Sequence, residues 1–296
     1  MLANLQDAGR SGVQKLGITT GGPLDSHAFA WGNRLLANPA GAAQIEIAIG
    51  GFCARFEKAT WIAVTGADMD WHLDGKKIAP WCNYRVATGS ELSSGFCREG
   101  MRSYLAVVGG FVAEPIFGSC ATVLGDGLGG LDNGEPLSAG DQVGYGDSGN
   151  SQLLKQQVPS SFIPRYGDQV ELRIVPSNQF YQFPENSRQQ FFNQAYCLGN
   201  QSDRMGCRFE GQPIDNVPAN MVSEAVPLGA VQIPSDGLPI VLLNDRQTIG
   251  GYPKLGSVYQ VDLPKLAQCR PGDQVRFCEG SLQQAQQELR EFRCFF

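Results

Sequence analysis

The chain alternates short apolar runs with glycine- and proline-rich turns, and it seldom sustains a helical period. Ala43–Ile49 (AQIEIAI) alternates apolar and polar positions and predicts a strand. Trp61–Thr65 (WIAVT) and Tyr104–Val108 (YLAVV) read as buried strands, the second ending at Gly109-Gly110. Trp71–Ile78 (WHLDGKKI) predicts a hairpin, with Asp74-Gly75 supplying a type I′ turn. Val170–Val175, Gly229–Pro234, Pro239–Leu243 and Ser257–Leu263 are the strands of the second half. Helical spacing is clearest at Ala28, Trp31, Leu35 and Leu36. Asp25 or Ser26 caps that helix and Asn38-Pro39 ends it. Asn186–Leu198 reads as a short Gln-rich helix and Ser281–Phe292 as a closing surface helix.

The phrase Gly-Asp-Gln-Val recurs at Gly140–Val143, Gly167–Val170 and Gly272–Val275, each fitting a turn that enters a strand. Its fuller forms, SAGDQV and RPGDQV, fall near the ends of the two halves and predict two similar β domains in tandem. These are set at residues 1–150 and 166–296. The polar, proline-containing stretch Ser148–Pro164 marks a linker, drawn at 151–165.

Composition narrows the functional classes. With 296 residues, 42% hydrophobic and 18% charged, the chain is long and apolar enough for real cores. Its 37 glycines and 17 prolines suit a turn-rich, mostly β protein. The net charge is −6 and the cations are scattered, which argues against nucleic-acid binding. No apolar run nears the roughly 20 residues of a membrane span, and MLANLQDAGR is not a signal-peptide pattern, so a cytoplasmic location is expected. Nine cysteines include no C-x-x-C pair, and there are two histidines, so no zinc spacing exists and reduced thiols are expected. Asp68, Asp70 and Asp74 miss the EF-hand order at His72. Gly125, Gly127 and Gly130 formally match G-x-G-x-x-G, but no helix pattern follows and a rim loop is the reading. There is no P-loop, and no methionine precedes a lysine as in a biotin-attachment site.

Chemistry concentrates in Val241–Gly256 (VLLNDRQTIGGYPKLG). A buried strand stops at Asn244, and Asp245, Arg246, Thr248, Gly250, Gly251, Tyr252 and Lys254 follow within one loop. Strand ends with glycine-rich loops are where rigid scaffolds present side chains. Positive φ at Gly250 and Gly251 would let backbone N–H groups approach a ligand. Two other stretches are dense in charge: SDRMGCRFEG, holding Asp203, Arg204, Arg208 and Glu210, and QDAGRSG with GITTGGPLD, holding Asp7, Arg10 and Asp25. As solvated turns, all three would be ordinary ion-paired loops.

Together, QDAGRSG, IEIAIGG, VTGAD, YLAVVGG, GLGGL, SDRMGCRFEG, IPSDGLPIVLLNDRQTIGGYPK and VDLPKLAQCRPGD resemble the allophanate hydrolase subunit 2 family, the biotin-dependent carboxyltransferases. The phrases run nearly the whole length in family order. Only Met1–Leu5 precede QDAGR, where the family has a longer apolar strand, and Cys207 stands where it often has Tyr. The resemblance implies two cyclophilin-like β-barrel domains with few short helices. It also implies a paired first-type, kinase-inhibitor-like subunit. One activity in the family is a subunit of ATP-dependent 5-oxoprolinase, which opens 5-oxo-L-proline to L-glutamate and adds a lactam-utilisation-like third subunit. Another is carboxyl transfer from carboxybiotin to a urea or amide nitrogen, and a third is antagonism of a histidine-kinase inhibitor. ATP would then be bound by or shared with partner subunits, and no biotin would be covalently attached here. For ring opening, Arg246 and Lys254 are expected to clamp anionic intermediates and Asp245 to act as general acid/base. Arg204, Thr248, Gly250, Gly251, Tyr252, Asp7 and Arg10 are expected to contact substrate. The chain is expected to be inactive alone.

Overall fold

The computed structural model describes residues 2–146, 153–219 and 221–296. They form two compact units: Met1–Ser11, Gly21–Tyr166 and Phe296 in the first, Gly12–Thr20 and Gly167–Phe295 in the second. Both are mostly β.

The first unit is built on a five-stranded antiparallel sheet, in the order Leu2–Gln6, Gln44–Ala48, Glu99–Val107, Thr60–Asp68, Cys82–Val86. A four-stranded sheet runs Cys53–Arg55, Glu91–Ser94, Trp71–Leu73, Lys76–Lys77. Ile45, Ile47, Ile62, Val64, Leu105 and Val107 of the first sheet share a core with Phe52, Trp71 and Leu92. The alternate positions, Ala63, Tyr104 and Ala106, face helix α1 (Ser26–Leu35) with its Ala28, Phe29, Trp31 and Leu35. Small residues at 63 and 106 let the helix lie close on a sheet buried on both sides. Asp25 is the N-cap, its Oδ1 accepting from Ala28 N at 2.9 Å. The hairpin turn is as expected, with φ of 50° at Asp74 and 73° at Gly75. Of the linker expected at 151–165, residues 151 and 152 lie outside the described residues. The rest is held by the first unit: Asn83 and Gln156 exchange hydrogen bonds, and Val158, 1% exposed, joins the α1 core.

The second unit is a closed seven-stranded barrel, ordered Gln169–Pro176, Lys254–Val258, Ala230–Gln232, Ile240–Leu242, Gly206–Glu210, Ala195–Leu198, Gln274–Glu279. Closure removes the free edges of an open sheet. The first and last strands close it as a parallel pair, with Gln169 opposite Gln274 and Val170 opposite Val275. The copies of the Gly-Asp-Gln-Val phrase at Gly167–Val170 and Gly272–Val275 therefore lie side by side in register. The third, at Gly140–Val143, is a turn leading to the short strand Gly144–Tyr145. Inside the barrel, Phe191 of helix α2 (Glu185–Phe192) stacks on Phe277 with ring centroids 4.8 Å apart. The helix expected at Asn186–Leu198 thus ends early. Ala195–Leu198 is a strand because Tyr196 and Leu198 alternate into the core.

The strand expected at Ser257–Leu263 is displaced toward the N-terminus, to Lys254–Val258. The chain then turns into helix α3 (Leu263–Ala267), with Pro264 in its first turn. Helix α4 (Leu282–Phe295) buries no residue and is tied down by Arg173, whose Nη1 meets Glu288 Oε1 at 2.7 Å. No helix among the described residues is long and apolar enough to cross a membrane.

Candidate functional site

The site loop starts from a barrel strand. Ile240–Leu242 is followed by Leu243, 2% exposed, whose N–H donates to Met205 O at 2.9 Å. Asp245 N donates to Arg204 O at 2.9 Å, so LLND and SDRMG run alongside one another. The Arg204 guanidinium then grips Asp245 through both carboxylate oxygens, Nε to Oδ2 and Nη2 to Oδ1, each at 2.9 Å. Both side chains are mostly covered, 15% and 9% exposed. Such a fork-to-fork pair is strong and geometrically specific. It engages both oxygens of the expected general base and two nitrogens of the expected anion contact. The pair braces the corner of the loop.

Arg246 turns inward. It is 6% exposed, and its Nε and Nη1 donate to the carbonyls of Val226 and Leu243 at 3.0 and 3.3 Å. Burial pulls its pKa below the ordinary arginine value. It ties two backbone segments together, whereas the sequence suggested an outward clamp. Thr248 contributes its carbonyl to Val226 N at 3.0 Å, supporting a two-stranded ribbon of Glu224–Ala225 and Ile249–Gly250.

Neither Gly250 nor Gly251 has positive φ, contrary to expectation. Glycine at 250 instead leaves room for neighbouring side chains. A Cβ there would lie 3.0 Å from the Nε2 atoms of both Gln232 and Gln247 and 3.2 Å from Val226 Cγ2. Tyr252 is half exposed and, with Gly251 and Pro253, forms one wall of a cleft of about 540 Å³. Asp215 and Asp236 also line that cleft and, among the described residues, no Lys or Arg does, which does not suit a phosphate or a carboxylate.

Lys254 stands apart from the other expected residues. It is 4% exposed, yet its Nζ lies 2.7 Å from Glu224 Oε1, whose side chain is 38% exposed. The charges are close, but the approach is not along a hydrogen-bond direction, and Nζ makes no directed hydrogen bond among the described residues. Its backbone is fixed on both sides. Lys254 N donates to Gln179 Oε1 at 2.7 Å, and Ser177 Oγ donates to Lys254 O. Gln179 Nε2 reaches across to Glu224 Oε1 at 2.5 Å. A register shift between Val231 and Gln232 sets Gln232 opposite Lys254. Such bulges re-aim side chains beside functional sites. A buried cation, a partly exposed carboxylate and two buried amides therefore meet at the mouth of the ribbon.

Glu224, Gln179 and Gln232 are not among the residues expected from sequence. The one local signal was Gln232, the lone polar residue in the strand AVQIP.

Asp7 and Arg10 belong to the first unit and are built into its frame. Asp7 accepts from Gly9 N at 2.9 Å, Cys120 N at 2.8 Å and Ser119 Oγ. Arg10, 1% exposed, donates to the carbonyls of Ile116 and Ser119 at 3.1 and 3.4 Å. Burial, and then the nearby Asp7 carboxylate, pushes the Cys120 thiol up to about 12, which keeps it protonated near neutrality.

Residues 16–279 match the family described as carboxyltransferase domain, subdomain A and B. The chain is 37% identical to the 5-oxoprolinase C-subunit of Haemophilus influenzae, over 96% of this chain and 90% of that protein. It is 35% identical to the C-subunit of the Escherichia coli 5-oxoprolinase, over 100% of this chain and 94% of that one. The crystal structure of the Kluyveromyces lactis urea carboxylase superposes with a TM-score of 0.90 at 28% identity, covering 97% of this chain and 27% of that one.

Proposed function

Because the chain belongs to the family of carboxyltransferase domains, subdomains A and B, and two bacterial 5-oxoprolinase C-subunits match it over nearly their whole length, we propose that it plays the same part in a multi-subunit 5-oxoprolinase. The reaction is the ATP-dependent opening of 5-oxo-L-proline to L-glutamate. Its partners in this reading are a first-type, kinase-inhibitor-like subunit and a lactam-utilisation-like third subunit, in the cytoplasm, and the chain is inactive without them.

One structural observation supports the reading most: the buried Lys254 ammonium, held beside Glu224 in a nest of amides. A lactam resists attack because its nitrogen donates into the carbonyl. Opening it places negative charge on the carbonyl oxygen, and a fixed cation in a site screened from water stabilises that charge strongly. Glu224, more exposed, keeps Lys254 oriented and offers an acceptor for a proton at the mouth of the site. The Arg204–Asp245 pair and Arg246 set the loop geometry from which Lys254 emerges. ATP hydrolysis, releasing ADP and phosphate, would supply the driving force for ring opening. The cleft beside Tyr252 is lined by Asp215 and Asp236 with no Lys or Arg among the described residues, which does not favour a triphosphate there; in this reading the nucleotide is bound by or shared with the partner subunits.

The test is release of phosphate and glutamate from 5-oxo-L-proline plus ATP, by this chain alone and with both partners. Coupled release only in the full mixture is expected. A second reading, carboxyl transfer from carboxybiotin to an amide or urea nitrogen, draws on the likeness to urea carboxylase. It predicts a biotinylated partner retained on avidin together with this chain, and no coupled release from 5-oxo-L-proline.

A further inference from the structure

Two donors of the Lys254 cluster converge on a single carboxylate oxygen. Glu224 is its carboxylate, and one oxygen, Oε1, already faces both Gln179 Nε2 at 2.5 Å and Lys254 Nζ at 2.7 Å. Against it stand the ammonium of Lys254 and the amide of Gln232. Gln232 is 1% exposed, and its Nε2 has no acceptor among the described residues. Burying an amide donor without a partner costs about 1–3 kcal/mol, so folded proteins seldom tolerate it without a reason. Here the orphan is not in an apolar recess. It sits across the barrel ladder from Lys254, against the bare Cα of Gly250, where a Cβ would press on it at 3.0 Å.

An apolar residue at this strand position would carry no amide to leave unpaired. Instead a register shift brings Gln232 and Lys254 opposite one another, and Gly250 leaves the Gln232 amide uncovered. A buried amide N–H and a buried ammonium, on residues that oppose one another across the ladder, suit one ligand atom: an acceptor oxygen that gains negative charge.

We infer that Gln232 and Lys254 together bind the carbonyl oxygen of the amide substrate. Gln232 donates a neutral hydrogen bond that fixes the direction of the oxygen, and Lys254 supplies the charge. The inference rests on the 5-oxoprolinase reading for the identity of the amide, a five-membered lactam. It adds a residue and a contact which that reading does not need.

The test uses the complex with both partner subunits and two substitutions, Gln232→Met and Gln232→Glu. Methionine keeps the length and volume of glutamine but carries no donor. In the isolated chain, Gln232→Met is expected to melt at the wild-type temperature or above it, because no internal hydrogen bond is lost. In the complex, it should lower kcat for 5-oxo-L-proline about tenfold to a hundredfold with a smaller change in KM, since the contact strengthens as charge develops. Gln232→Glu, which sets a carboxylate against the same oxygen, should lower kcat at least as far. A fall of several degrees in the melting temperature of Gln232→Met would overturn the inference, because it would make Gln232 a structural hydrogen-bonding residue. Unchanged kcat in both variants would also overturn it. If the wild-type complex fails to release glutamate, the 5-oxoprolinase reading fails, and the melting comparison still decides whether Gln232 is a spare donor.

Discussion

Two ion pairs in the second unit share one loop and differ in almost every other respect. Arg204 and Asp245 are joined by two parallel hydrogen bonds of 2.9 Å, and both side chains are mostly covered. Lys254 and Glu224 are 2.7 Å apart, yet the ammonium makes no directed hydrogen bond among the described residues, and the carboxylate is 38% exposed. The first pair has its charges matched and its geometry fully used. The second has a cation held in place by its backbone, with donor capacity to spare. A completed pair stabilises a loop, whereas an incomplete one is poised for something that arrives later. Motif density in the sequence did not separate the two, and hydrogen-bond geometry and exposure do.

The largest expected effect breaks the second pair. Lys254→Met keeps most of the apolar stem and removes the charge. It should reduce coupled glutamate release by about a hundredfold to a thousandfold, the scale of losing a group that stabilises developing charge. Co-purification with the partner subunits should be unaffected, and turnover near the wild-type value would remove Lys254 from the mechanism.

Next in size is the break in the first pair. Asp245→Asn leaves Arg204 covered without its counter-charge and should cost about 2–4 kcal/mol of folding stability, read from urea unfolding. Turnover per folded molecule should fall only modestly. A stable variant with no turnover would return Asp245 to the general-base role expected from sequence.

A third comparison lies in the second unit, away from the loop. Arg173 meets Asp262 through Nε and Nη2 and Glu288 through Nη1 and Nη2. Burial alone would raise the Asp262 carboxyl, but hydrogen bonds from Arg173 and Lys265 outweigh it and hold the pKa below the usual value. Arg173 does the same for Glu288. A pKa lower in the folded than in the unfolded chain stabilises the fold above the unfolded value of about 4 and loses that effect as pH falls through the folded value. Stability of the wild type should therefore drop more steeply below about pH 4 than that of Asp262→Asn. Parallel curves in an acid titration followed by circular dichroism would contradict this.

The smallest effect concerns the bare backbone at the site. Gly250→Ala introduces no positive-φ strain, but its Cβ would press on Gln232 and Gln247 at 3.0 Å. A loss of about 1 kcal/mol or less is expected from so small an intrusion between flexible amides. Turnover should fall severalfold because Gln232 is displaced. An unchanged kcat would show that the approach to Gln232 is not used.

Local rules carried much of the fold. Asp25 caps its helix through Ala28 N, and Asp74-Gly75 turns its hairpin, because both depend only on neighbours. Long-range pairing defeated the same reasoning elsewhere. Lys254 looked like the end of a loop after Pro253, but it begins a barrel strand because Gln232 and Ser177 lie alongside to receive it. Ala195–Leu198 looked helical until its partners across the barrel required extended backbone. The site shows the same division. Lys254 was visible in the motif. Glu224 and Gln179 carry no motif of their own and are brought in by the ribbon and the turn at Ser177–Gln179. Gln232 is concealed by the register shift, which places a polar residue of a β strand indoors. Asp7 and Arg10, charge in a glycine-rich loop, hold residues 116–120 of the first unit, a contact that the loop's own sequence does not announce.

The most direct measurement compares coupled phosphate and glutamate release by the full complex in three forms: wild type, Lys254→Met and Asp245→Asn, each normalised to folded protein. If Lys254 carries the charge stabilisation, Lys254→Met is silent while Asp245→Asn retains most of its turnover per folded molecule. The reverse ranking, a silent Asp245→Asn beside an active Lys254→Met, would contradict that assignment and move the chemistry to the Arg204–Asp245 corner.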